Sequence, residues 1–112
     1  MHTDWFNGIT IAITVSDADG KIIEMNDASA KVFEKYGGRE LIGQKLNNCH
    51  NPNSIEIMGR LLSDGATNVY TIEKKGQKKM IFQAPWHQGG KIAGLIEFSF
   101  VIPAEMPHFI RE

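Results

Sequence analysis

Residues 78–102 read KKMIFQAPWHQGGKIAGLIEFSFVI, two alternating runs on either side of a glycine-centred turn. In the first run Met80, Phe82, Ala84 and Trp86 alternate with Lys79, Ile81, Gln83 and Pro85. In the second, Ile92, Gly94, Ile96, Phe98, Phe100 and Ile102 share one face, and Ala93, Leu95, Glu97, Ser99 and Val101 share a more mixed one. A period of two sends successive side chains to opposite sides of a sheet, with one face buried and the other partly wet. His87-Gln88-Gly89-Gly90 supplies the turn that makes the pair a hairpin. The wet face keeps Ile81 and Leu95, which points to a covering partner.

The pattern extends outward from this hairpin. Lys74-Lys75-Gly76-Gln77 is a second turn, so three strands are predicted over roughly 66–75, 78–87 and 91–102. Near the start, Asp17-Ala18-Asp19-Gly20 separates two β-branched or alternating runs, 9–15 and 21–25. Between these groups the period changes to that of a helix. Asn26 is placed to cap a helix whose apolar side is Ala28, Val32, Phe33 and Tyr36, and Gly37-Gly38 ends it. A short helical turn is expected over 39–43. After Pro52, Asn53 and Glu56 have the spacing of a capping box, with Asn in the usual Ser or Thr place. The helix they open, about 54–63, carries Ile55, Ile57, Met58, Leu61 and Leu62, and Gly65 stops it. Two strands, a helical middle and a three-stranded meander predict an α+β fold. Its sheet has five antiparallel strands, with helices on one face.

A chain of 112 residues has room for a single domain spanning 1–112, with its core about 9–102 and flanking segments 1–8 and 103–112. Trp5-Phe6 and the tail Pro103-Ala104-Glu105-Met106-Pro107 read as segments that dock or dimerise. Twelve basic against thirteen acidic residues give a net charge of −1, which leaves no footprint for nucleic acid or an anionic membrane. The single Cys49 excludes an internal disulfide and fits a reducing compartment. The 9–15 run is broken by Thr10 and Thr14 and is too short to cross a bilayer. Met1-His2-Thr3-Asp4 lacks the features of a signal peptide. The expected location is cytoplasmic.

Other charged groups read mainly as surface. Lys74, Lys75, Lys78 and Lys79 cluster without interleaved aromatics, as in a solvated turn. Asp17 and Asp19 fit the turn itself, where short acids bond their own backbone. Glu97 is expected on the outer face of a central strand, solvated or paired across a dimer interface. Gly37-Gly38 and Gly89-Gly90 lack phosphate-loop spacing.

The element order resembles the PAS fold. Asp17-Ala18-Asp19-Gly20-Lys21-Ile22 with Asn26-Asp27-Ala28 is similar to that family's D-x-x-G-x-I…N-x-A opening. Leu41-Ile42-Gly43-Gln44 resembles its L-I-G step, and Gly90-Lys91-Ile92-Ala93-Gly94 its glycine-started last strand. The resemblance covers about residues 9–102. Cys49-His50-Asn51-Pro52-Asn53-Ser54 is similar to a C-H-x-P-x-S segment of PAS domains found with hemerythrin-like modules in bacterial proteins.

The resemblance implies a half-barrel pocket between sheet and helices. Its inward candidates from the helical region are Phe33, Ile42, Leu46, Ile57, Met58 and Leu61. From the strands they are Ile72, Met80, Phe82, Ile96 and Phe98. These residues equally suit a filled core, which a domain of this size needs.

Specific cofactors find little support. Leu46 stands where the photosensing branch keeps its flavin-reactive cysteine, and Ile96 where it keeps a flavin-reading glutamine. Both argue against covalent flavin chemistry. The 54–63 helix holds Met58 but no histidine, against an axial haem ligand there. The cofactor is left unknown. Cys49 and His50 form a candidate functional loop, although adjacent residues rarely bind one metal together and no third ligand is evident.

The leading expectation is a sensory, signal-transducing module that is not an enzyme and carries no effector of its own. It binds a small apolar ligand or a signalling protein and dimerises through its outer sheet face and Trp5-Phe6. The alternatives are a ligand-free dimerisation module and a small Cys/His-dependent metal-binding protein or enzyme.

Overall fold

The computed structural model describes residues 4–45 and 52–112, with backbone only at 52–55. Leu46, Cys49 and His50 lie outside the described residues. The expected strands form, and they build one five-stranded antiparallel sheet in the order β2-β1-β5-β4-β3. They are β1 (Ala12–Ser16), β2 (Ile22–Met25), β3 (Asn68–Lys74), β4 (Gln77–Gln88) and β5 (Lys91–Ile102). The helices are α1 (Asp4–Gly8), α2 (Asp27–Val32) and α3 (Pro52–Asp64), and two 3-10 turns over Glu34–Tyr36 and Gly38–Leu41 follow α2.

Turn chemistry sets the meander. Both two-residue loops put their central residues at positive φ: Lys75 and Gly76 at 53° and 77°, Gly89 and Gly90 at 60° and 79°. That geometry matches the right-handed twist of the strands it joins. In the first hairpin Asp17 Oδ1 accepts from the N–H of Asp19 (3.0 Å) and of Lys21 (2.9 Å), which closes the turn.

Asn26 caps α2 as expected, and it does more. Its Oδ1 accepts from the N–H of Ser29 and of Ile13, both at 2.9 Å. Its Nδ2 donates to the carbonyls of Phe6 (2.9 Å) and Ile11 (2.8 Å). With 0% of its surface exposed, this one amide ties α1, β1 and α2 together. Arg39 adds an outer brace, donating to the Met25 carbonyl (2.8 Å) and pairing with Asp27. Helix α3 begins at Pro52, a residue whose missing N–H costs nothing in a first turn. Asn53 therefore sits inside the helix, not at its cap.

Packing divides the core in two. Ile22, Met25 and Leu41 form one cluster with Phe33 against it, and Met58, Leu61 and Leu95 form the other with Ile57 and Leu62. Gly94 lies where β5 crosses the end of β1. A Cβ there would stand 1.8 Å from the Ser16 carbonyl oxygen, which also accepts the Trp86 indole N–H at 2.9 Å. Close backbone approach explains a glycine inside this strand.

The faces of the sheet correct one expectation. Leu95 packs on α3, so Leu95, Glu97 and Ser99 point toward the helices, with Gln83 and Ile81 as their partners on β4. Met80, Phe82, Ile96 and Phe98, expected inward, occupy the opposite face. There Phe82 and Phe98 stack with ring centroids 5.9 Å apart. Glu97, expected outward, faces inward. Alternation defines two faces, but only the helix packed on them decides which is inside, and here the more apolar face is the outer one.

Candidate functional site

The inner face of the sheet is crossed by one row of polar side chains. Register aligns Thr14 on β1 with Glu97 on β5, Glu97 with Gln83 on β4, and Gln83 with Asn68 on β3. Three of them are joined directly: Asn68 Nδ2 donates to Gln83 Oε1 (2.9 Å), and Gln83 Nε2 donates to Glu97 Oε1 (2.7 Å). Gln83 is 5% exposed and Glu97 is half-buried. At the other end the Thr14 hydroxyl bonds that of Ser29 on α2.

A carboxylate fixes the sense of this row. Ionised Glu97 only accepts, so the Gln83 amide must turn its NH2 toward it. The Gln83 oxygen then faces Asn68 and takes a donor from it.

Space lies over the row, beneath α3. A cavity of about 20 Å3, room for roughly one water, is lined by Thr14, Ser16, Met58, Gln83, Leu95, Ile96 and Glu97. Beside it an open cleft of about 350 Å3 is lined by Ile57, Asn68, Tyr70 and Gln83. Its size is near the lower end of small-molecule sites, roughly 300–1,000 Å3. Burial, and secondarily the Glu97 carboxylate, push the Tyr70 hydroxyl above the ordinary tyrosine value. It is a neutral phenol at physiological pH.

The candidate pocket residues divide by place. Met58 and Leu61 are buried with Leu95, and Ile57 lines the cleft. Phe33 packs instead on the Ile22 cluster, away from α3. Ile42 is 40% exposed, and Ile72, on the inner face near the edge of the sheet, is 37% exposed. Met80, Phe82, Ile96 and Phe98 project from the far side of the sheet, although Ile96 also borders the small cavity. Sequence reasoning passed over Thr14, Asn68, Gln83 and Glu97 as a set. Their signal was a polar residue at matched depth in four strands, but a bulge between Trp86 and His87 shifts the β4–β5 register. Counting back from the Gly89-Gly90 turn puts Ile96, not Glu97, opposite Gln83.

The lysines lie elsewhere. Lys74, Lys75 and Lys79 border a separate concavity with Lys31 of α2. Among the described residues no three His, Cys, Asp or Glu side chains converge as a metal site would require. Nor is any helix among them long and apolar enough to cross a membrane.

No family model and no curated protein matches the chain. Solved structures do. A PAS domain from Colwellia psychrerythraea is 24% identical, with 88% of this chain and 91% of that one aligned at a TM-score of 0.63. The PAS domain of the histidine kinase ThkA is 18% identical, over 80% and 97% of the two chains, with a TM-score of 0.66. The Aer2 receptor from Vibrio cholerae, described as a dual PAS-haem oxygen sensor, is 15% identical over 86% and 97%, with a TM-score of 0.62. The chain has the PAS fold: a five-stranded antiparallel sheet in the order β2-β1-β5-β4-β3 with its helices on the inner face.

Proposed function

We propose that this chain is a sensory PAS module that takes a small molecule between α3 and the inner face of its sheet and signals by docking to a partner. The observation that carries this reading is the Asn68–Gln83–Glu97 row, whose Asn68 and Gln83 line an open cleft. A sheet packed only for stability would place apolar groups there, since each buried polar group must recover its lost hydration. Similar folds named as parts of a histidine kinase and a receptor support the same reading. The role is binding, with no catalytic step.

A contiguous route leads from the small cavity beside the cleft to the flanking helix. Thr14 borders the small cavity and bonds Ser29; the Ser29 N–H is held by Asn26, which also holds the Phe6 carbonyl of α1. Occupancy shifts α1 only if the ligand binds two arrangements of this route with different affinity. Native mass spectrometry of freshly purified protein, with amide NMR before and after denaturing extraction, tests the reading. A retained small molecule, or cleft amides that move on extraction, supports it. A clean apo mass with unmoved amides counts against it.

A second reading, dimerisation through the outer face without a ligand, is favoured by the stacked Phe82–Phe98 pair and half-buried Met80, Ile96 and Trp86. In either case a homodimer is expected, with the exposed Trp5 at its margin. A monomer by sedimentation at high micromolar concentration argues against it.

A further inference from the structure

We propose that the ligand of the cleft carries an ammonium head group on a small apolar body, the head reaching past Gln83, which lines both spaces, into the small cavity bordered by the Glu97 carboxylate. This rests on the reading of the cleft as a ligand site and adds the chemistry of its occupant. Among the described residues Glu97 receives one hydrogen bond, from Gln83, although a carboxylate has room for about four. Among the described residues no cation pairs with it. Arg39 is engaged by Asp27 and the Met25 carbonyl, Lys45 by the Asp19 carbonyl, and Arg60 borders a different hollow on α3.

The direction of the row sharpens the choice. Its amide donors point along the sheet to Glu97, so its free capacity is mostly acceptor: the remaining carboxylate lone pairs and Asn68 Oδ1. A half-buried carboxylate gains most from a charged donor, and an anionic ligand here would meet like charge in a partly desolvated place. Ile57 and Tyr70 line the cleft that takes the body, and Met58 and Leu95 wall the small cavity that takes the head. A cleft of about 350 Å3 limits that body to something near one ring or a short chain.

Three probes of one shape separate charge from shape: benzylammonium, benzyl alcohol and benzoate, titrated into the full chain at neutral pH and followed by amide NMR. Benzylammonium is expected to shift the Asn68, Gln83 and Glu97 amides saturably and to bind at least about tenfold tighter than the other two, the ratio that 1.4 kcal/mol gives. Glu97→Gln, which keeps an acceptor for Gln83, should erase that preference, whereas Glu73→Gln should keep it. Equal or tighter binding of the alcohol or benzoate overturns the cationic assignment and leaves the cleft reading standing. If none of the three moves the cleft amides, the cleft reading falls with it. The probe comparison on the unaltered chain decides the question even if a variant fails to fold.

Discussion

Two polar groups sit inside this sheet-and-helix sandwich, and they are built on opposite plans. Asn26 uses both ends of its amide on backbone atoms of three elements and keeps no surface for anything else. The row from Asn68 to Glu97 bonds side chain to side chain and stops at a carboxylate beside a cavity with room for about one water. A polar group that closes on the chain's own backbone specifies the fold. One that keeps acceptors unmet beside a cavity gives up part of the stability such closure brings.

Breaking the closed knot should have the largest effect. Asn26→Ala leaves the buried N–H groups of Ile13 and Ser29 without their acceptor and frees α1, so about 3–5 kcal/mol of stability should be lost in urea unfolding. A loss under 1 kcal/mol would mean that water replaces the amide and that the contrast fails. Gly94→Ala comes next. Its new methyl meets the Ser16 carbonyl at the seam between β1 and β5, and a shift of backbone there should cost about 1–3 kcal/mol.

The open row should respond differently. Gln83→Leu removes its centre, but Asn68 borders a cleft that water can enter and Glu97 a cavity with room for about one water, so stability should change by no more than about 1 kcal/mol. A larger loss would make the row structural, like Asn26. The smallest effect concerns Tyr70. Its phenol should titrate above the ordinary value of about 10, as judged by 295 nm absorbance against Tyr70→Phe. Glu97→Gln should lower it only part of the way, because burial is the larger cause. Since the folded value is raised, this group's contribution is complete below the unfolded pKa and declines as pH rises through the folded one.

Much of the fold was legible because it rests on local chemistry. Period-two alternation, the Lys75-Gly76 and Gly89-Gly90 turns, Asp17 in its own turn and the Asn26 cap each depend on neighbours a few residues away. The site was not legible in that way. Glu97 and Gln83 are fourteen residues apart, and one bulge between Trp86 and His87 alters which residue faces which. Because apolar residues occupy both faces, hydrophobicity alone favoured Met80, Phe82, Ile96 and Phe98 as the interior.

The sequence by itself determined the strands, their turns and the helical insert between β2 and β3, because backbone preference and side-chain periodicity act over short range. Only the tertiary structure decided which face of 78–102 lies beneath α3. That choice depends on where a helix from elsewhere in the chain packs, and it turned the mixed face, with Gln83 and Glu97, into the interior.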